Sequence, residues 1–466
     1  MLGNRQVPMK ISIFLFPVLF ILPAIFGYYE QWFSLNKVQS VNLSIALLAT
    51  YLWLTELIPL YVTGFIILFL ELSWLLPVWT EPRPKPIVFL SCYFSDTILL
   101  FLGGFVISQA ISRYRLDERL AKIVLSQSRG SSFRFLLGIG LVTGFLSFWM
   151  NNTATAAMML GLVMPMMARF PESSSFRKGI LLLVPFSANL GGIATPVGTL
   201  PNVIGIGYLK ERGLDFGFLT WMGFAVPVAL TSILILILLI YYFYAKPEKD
   251  ETFKHFTIAT ESRIFSNAEW FSISIIVITI FAWMTSDFHG IANGTIALFP
   301  VIVFFGTKLL SLEEFRSLSW DVLVLMGGGI ALGKAMEETG LAKHFITSFS
   351  LNEHSLMFLF LFFSFMSLIL SCFLSNTSVA NLMLPITLGL PQELILPAAL
   401  GATIGASLAM PFPISTPPNA LAFGYGGIKS WDMAKIGGLI SIVAWMIFVC
   451  LGGGILHISS IVDFSF

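Results

Sequence analysis

Three ordered motifs occur twice in this chain, and their nearly constant spacing limits the possible folds more than any other feature. Asp96 opens DTILLFLGGFVISQA, and Asp321 opens DVLVLMGGGIALGKA. Counted from each Asp, Gly103-Gly104 and Gly328-Gly329 fall at the same two offsets, and Ala110 matches Ala335. These copies lie 225 residues apart. SFWMNNTATAAMMLGLV from Ser147 is answered by SCFLSNTSVANLMLP from Ser371, with Asn376 lying 224 residues after Asn152. Thr199-Leu200-Pro201-Asn202 is answered 217 residues on by Thr416-Pro417-Pro418-Asn419. One architecture has been duplicated and fused, with halves at 1–245 and 268–466 and a polar connection at 246–267. Each half reads as an odd number of crossings, which makes the copies inverted repeats.

The crossings follow from composition. Of 466 residues, 56% are hydrophobic and 11% charged, whereas a soluble domain carries about a quarter charged residues. Apolar runs such as Met222 to Tyr244 have the length of a helical span. Transmembrane strands would be about 9–11 residues of alternating pattern, so a barrel is excluded. The expectation is an all-α polytopic membrane protein. Ile11 to Tyr28 follows Arg5 and Lys10 without a small-residue cleavage site, and reads as a first span with the amino terminus inside. No Lys or Arg follows His457, which fits an outer carboxyl end. Lys246, Lys249, Lys254 and Arg263 make the connection cytoplasmic, and the last span falls at about 433–456.

Other function classes find little support. A net charge of +1 without a basic block argues against nucleic acid. Cys92, Cys372 and Cys450 lie far apart in apolar surroundings and read as buried small hydrophobes. No HExxH pattern or nucleophile–base pair suggests an enzyme. Glu56, Asp96 and Asp321 could carry protons, but the two matched Asp residues suit helix N-caps better. Glu56 reads as a helix end or a functional carboxylate, and Glu71 as costly at membrane depth unless paired. Arg113 to Lys122 and Lys308 to Arg316 read as surface amphipathic helices or solvated loops.

The polar islets carry the functional reading. Ser147 stands five residues before Asn152, as Ser371 does before Asn376. Small polar residues between two short apolar arms suggest re-entrant hairpins, at about 133–165 and 355–390. Pro196 and Pro201 fall in Thr195 to Asn202, and Pro411, Pro413, Pro417 and Pro418 in the second copy. A proline interrupts a helix at a cost of about 3 kcal/mol, so the helices at about 179–210 and 395–424 should be broken. Non-helical backbone at membrane depth is tolerated when buried in protein or lining a wet cavity. Helix amino ends favour anions, and unwound carbonyls favour small hard cations. No Lys or Arg occurs in these four stretches, so a bound dianion would need co-bound cations to offset its charge.

With WLTELIP at Trp53 to Pro59, the Asp321 stretch, the two tips and PFPISTPPNALAFG from Pro411, the chain resembles the divalent anion/sodium symporter family of dicarboxylate, citrate and sulfate carriers. The resemblance implies a homodimer in which a transport domain slides like an elevator against a fixed scaffold, in a membrane expected to be the cytoplasmic one. It implies one Na+ at Ser147, Asn151, Asn152 and Gly198, and a second at Ser371, Ser375, Asn376 and Ser415. Substrate would meet Asn151, Asn152, Thr153, Ser375, Asn376 and Thr377, with Thr416 and Pro417 closing the pocket. Asn151 stands where the family usually has Ser, a bulkier group that alters the first cation site or narrows the pocket. The function expected is sodium-coupled transport of a C4-dicarboxylate such as succinate. Exchange, or sulfate carriage without Na+, stands as the alternative, and an anion channel as the rival of another class.

Overall fold

The computed structural model describes residues 35–79, 82–128, 131–171, 173–214, 216–246, 264–348, 350–351 and 354–461. The expected first span, most of the connecting stretch at 246–267 and the last five residues lie outside the described residues. Among the described residues the structure is helical throughout, without a strand. Among the described residues seven helices are long and apolar enough to cross a membrane.

Helices α1 (Lys37–Thr55) and α2 (Leu60–Leu70) flank the Glu56 interruption. Glu56 itself is the left-handed C-cap of α1, with φ 49°. Helix α2 runs on through a π turn, Glu71–Leu75. There Glu71 is fully buried, and neither carboxylate oxygen has a hydrogen-bond partner among the described residues. Helix α3 (Asp96–Arg113) and the short amphipathic α4 (Leu116–Ser126) follow.

Two arms with an interrupted turn come next, α5 (Ser132–Ser147) and α6 (Asn152–Val163). Helices α7 (Ser175–Gly192) and α8 (Leu200–Glu211) are separated by unwound backbone at 193–199. The long α9 (Phe218–Ile240) closes this half. The second half begins with α10 (Asn267–Met284), α11 (Asn293–Gly306), α12 (Trp320–Glu338) and amphipathic α13 (Leu341–Ser348). The paired arms recur as α14 (Leu356–Ser371) and α15 (Asn376–Thr387). The break recurs between α16 (Gln392–Ser407) and α17 (Pro417–Gly424), and α18 (Ser430–Ile461) ends the fold.

The breaks are displaced slightly from where the prolines suggest. Pro201, Pro417 and Pro418 sit in the first turns of α8 and α17 instead of in the unwound segments. The first turn tolerates proline, because its N–H groups have no intrahelical acceptor and its φ is already set. The matched aspartates also differ from expectation. Ser95 is the N-cap of α3, and Asp96 follows it, reaching Lys210 Nζ at 2.6 Å and the Gly294 N–H at 2.9 Å. Asp321 lies one residue inside α12, behind Ser319.

Each pair of arms packs along its own broken helix, α5 along α7 and α14 along α16. Small residues allow the approach. A Cβ on Gly191 would lie 2.3 Å from the carbonyl oxygen of Gly144, so the two backbones touch. Helix α2 meets α12 in the same way, where a Cβ on Gly328 would lie 2.4 Å from the Cα of Gly64. Helix α8 packs against α12, α15 and α16, placing the first break beside the second half.

Candidate functional site

The two tips and the two breaks share one cavity of about 440 Å³. Asn151, Asn152, Thr153, Gly198, Ser375, Asn376, Thr377, Ser415, Thr416 and Pro417 all line it. Of the residues proposed from sequence, only Ser147 and Ser371 lie behind the wall, fully buried. Both hydrogen-bond the tip asparagines that do line it.

Four helix amino ends meet at this cavity. Asn152 and Thr153 begin α6, Asn376 and Thr377 begin α15, Leu200 and Pro201 begin α8, and Pro417 and Pro418 begin α17. The first-turn N–H groups and the macrodipoles all favour negative charge there. The proline-led helices offer fewer free N–H groups, so α6 and α15 supply most of the donors. Asn151 and Ser375 act as N-caps. Asn151 Oδ1 accepts from the Thr153 N–H at 2.8 Å, and Ser375 Oγ meets Ser378 Oγ at 2.7 Å and the Ser378 N–H at 3.2 Å. Their side-chain oxygens are thus engaged at the tips themselves.

Behind each tip lies a cluster of oxygens. The end of the Asn152 amide meets Ser147 Oγ at 2.7 Å, Gly198 O at 3.2 Å and Ala188 O at 3.3 Å. Two arrangements fit three oxygens around one amide end. The amide nitrogen donates to all three, or the amide oxygen joins them around a cation. At the second tip Ser371 Oγ lies 2.7 Å from Asn376 Oδ1 and 2.7 Å from Ala406 O. A serine hydroxyl has one proton for these two contacts. A turned amide or a cation resolves the second site as it does the first. All these ligating atoms are neutral oxygens, which suits a hard monovalent cation better than a transition metal.

The breaks are tied down more firmly than unwound backbone alone requires. Asn202 Nδ2 donates to the carbonyls of Gly192, Ile193 and Thr195, at 2.8–3.2 Å. Asn419 Nδ2 donates to those of Met410 and Phe412, at 3.0 and 3.1 Å. Several carbonyls expected to be free are therefore occupied. Each break is also pinned to its tip, through Thr195 Oγ1 to Phe148 O and Ser415 Oγ to Cys372 O.

Part of the wall was not foreseen. Glu56, Tyr61 and Asp321, from the α1–α2 turn, α2 and α12, also line the cavity, and among the described residues no Lys, Arg or His does. Asn189, near the end of α7, is also in the lining. An isolated asparagine in the apolar run VPFSANLGG was the one signal that marked it.

Helices suited to spanning a bilayer, broken around a cavity of polar helix ends, define an integral membrane protein of the transporter type. The citrate transporter family model matches residues 50–393, so the chain belongs to that family. An uncharacterized transporter of Schizosaccharomyces pombe is 31% identical over 91% of this chain, which spans only 50% of that protein. The sodium-dependent dicarboxylate transporter SdcS of Staphylococcus aureus is 30% identical over 94% of this chain and 89% of its own length. The inorganic phosphate transporter PHO87 of Saccharomyces cerevisiae is 29% identical over 87% of this chain and 46% of that protein.

Proposed function

We propose that this protein is a secondary active transporter that carries a divalent organic anion, a C4-dicarboxylate such as succinate, together with Na+. The observation that supports this most is the meeting of four helix amino ends at a cavity without a basic side chain. The wall attracts an anion through N–H groups and hydroxyls, yet cannot neutralise a dianion by itself. The oxygen clusters of Ser147, Asn152 and Gly198, and of Ser371, Asn376 and the Ser415 break, would hold the cations that supply the missing charge. Mutual need of anion and cation is the physical basis of coupling. The name of the staphylococcal relative agrees with this reading.

In the same reading the chain is two inverted repeats, 1–245 and 268–466, joined through a cytoplasmic 246–267, with the amino end inside and the carboxyl end outside. It works as a homodimer in the cytoplasmic membrane. The hairpins α5–α6 and α14–α15, with the broken helices, slide as one body past α1–α3 and α10–α12. Two ion pairs cross that boundary from the end of α8, Lys210 to Asp96 at 2.6 Å and Arg212 to Glu337 at 3.1 Å. They would part when the body moves.

Uptake of labelled succinate into proteoliposomes, with and without an inward Na+ gradient, tests the proposal. Uptake that saturates, shows counterflow and collapses when choline replaces Na+ is expected. Unchanged uptake in choline would leave an exchanger or a sodium-independent carrier of sulfate or another anion, and the name of PHO87 adds inorganic phosphate to the anions to try. Flux without saturation or counterflow would point to a channel.

A further inference from the structure

The two threonines that begin the second helices of the breaks are not equivalent. Thr416, the N-cap of α17, has both oxygen lone pairs engaged. Its Oγ1 accepts from Asn189 Nδ2 at 3.0 Å and from the Asn419 N–H at 3.4 Å. A hydroxyl has two acceptor positions and one proton. Among the described residues the Thr416 proton has no acceptor, and Thr416 lines the cavity. Its one remaining role is to donate into that cavity.

The direction of this chain of bonds is fixed from behind. Asn419 Nδ2 donates to the carbonyls of Met410 and Phe412, so Asn419 presents its Oδ1 to Asn189. Asn189 Nδ2 donates to that oxygen at 3.2 Å as well as to Thr416. The orientation of the Asn189 amide is thus set by a second asparagine whose own orientation is set by backbone. Asn189, Thr416 and Asn419 are all at least 96% buried, which keeps water from competing.

The first break has no such arrangement. Thr199 caps α8 without a side-chain hydrogen bond. Ala406, which answers Asn189 at the same 217-residue interval, has no polar side-chain atom, and among the described residues the Asn202 side-chain oxygen has no partner. The Thr199 hydroxyl is therefore free to turn, and either donates or accepts.

We infer that Asn189 is a positioning residue that makes Thr416 a one-way donor, so that Thr416 and Thr199, both in the cavity lining, select different groups. The inference rests on the carrier reading and refines its substrate class. Thr416 then meets an acceptor, and a free carboxylate, which brings two acceptor oxygens and no competing proton, fits it best. Thr199 meets a carboxylate or a hydroxyl beside it. The protein then takes 2-hydroxy dicarboxylates nearly as well as unsubstituted ones, provided that one terminal carboxylate is unsubstituted.

Initial-rate uptake of succinate, with malate as competitor, tests this in proteoliposomes holding wild type, Thr416→Val, Asn189→Leu, Asn189→Asp or the Asn189→Leu/Thr416→Val pair. Thr416→Val is expected to raise the succinate KM about 10-fold with the maximal rate kept within about twofold, as for loss of a bond made in the bound state. Asn189→Leu should raise KM by a similar factor. The double variant should be no worse than Thr416→Val alone, because Asn189 acts through that hydroxyl. Asn189→Asp should be worse than Asn189→Leu, since a carboxylate there takes the Thr416 proton for itself. Malate should compete within about threefold of succinate, the spread that a tolerated hydroxyl allows. Size-exclusion profiles and melting temperatures check that each variant folds, and Asn189→Ser replaces Asn189→Leu if that one does not. Additive losses in the double variant, or wild-type KM in both Asn189 variants, would overturn the inference and leave the carrier standing. Absence of uptake, and of any thermal stabilisation of wild type by succinate or malate, would instead remove the carrier reading on which it rests.

Discussion

At the first tip the Asn152 amide and the Ser147 hydroxyl meet at 2.7 Å, and at the second Asn376 and Ser371 meet at the same distance. The turns are near copies, each followed by a helix that opens on its asparagine. What stands behind them is not copied. Ser371 also reaches Ala406 O, while among the described residues Ser147 makes no second side-chain bond. The Asn152 amide is ringed by Ala188 and Gly198 carbonyls instead. The caps differ too, an amide at Asn151 and a hydroxyl pair at Ser375 and Ser378. The two tips share what lines the cavity, a polar helix end. Their supports differ, because each tip packs against different neighbours.

The comparison breaks most simply at the asparagines themselves. If both tips hold the same ligand, Asn152→Ala and Asn376→Ala should each lower succinate uptake at least about 100-fold, the loss of paired contacts to a charged group. Size-exclusion should show both variants folded. Retained uptake in one of them would mean that the tips do different work. The next largest effect is expected from Gly192→Ala. A Cβ there would lie 2.3 Å from the end of the Asn152 side chain, so the tip amide must move. Uptake should fall about 10-fold or more, through misplacement of that amide and not through unfolding. The melting temperature measured alongside separates the two causes. Serine removal then tests the divergent supports. Ser371→Ala should raise the Na+ concentration for half-maximal uptake more than Ser147→Ala does, by about threefold, because it frees two neighbours instead of one. Equal shifts would place the cation away from Ser371.

How much of this was legible in the chain depends on the range of the interaction. The tips were, because a Ser, Asn or Thr that caps a helix is a local choice, and the same choice recurs at a fixed interval. The breaks were nearly so. Proline is costly in helix interiors, although Pro185, Pro227, Pro300, Pro385 and Pro397 lie there, and it is welcome in the first turn. Pro201, Pro417 and Pro418 therefore mark where α8 and α17 start, not where the chain is unwound. The pairing of Asp96 with Lys210 was hidden for a different reason. A local rule made the Asp a cap, but Ser95 one residue earlier took that role and freed the carboxylate for a long-range bond. The rest of the cavity wall was beyond reach altogether. Glu56, Tyr61 and Asp321 come from segments 260 residues apart, and nothing in their own neighbourhoods says that they will face one space. Asn189 falls between these cases, visible as a polar intruder yet with partners 227 and 230 residues away.

The smallest effect concerns the amphipathic helices that link these units, and it compares the halves at one atom. Asp117 in α4 and Ala342 in α13 hold matching places, one residue into each helix, and both are buried. Burial raises the carboxyl of Asp117 above its usual range, against the partial help of the Glu118 N–H at 2.9 Å. A carboxyl whose folded value lies above its unfolded one binds a proton more readily in the native state. Stability is therefore lost as pH rises through the interval between the two values, and the penalty is fully present at neutral pH. Asp117→Ala, which copies the second half into the first, should raise the melting temperature at pH 7.5 by about 2 °C, the scale of a sub-kilocalorie change in a chain of this size. The gain should shrink as pH is lowered towards 3, below the ordinary Asp value of about 3.9, where the wild-type carboxyl is largely neutral in both states. A gain of the same size at both pH values would show that packing, and not charge, separates the two helices. A loss at pH 7.5 would show that the carboxylate has a role that Ala342 has no counterpart for.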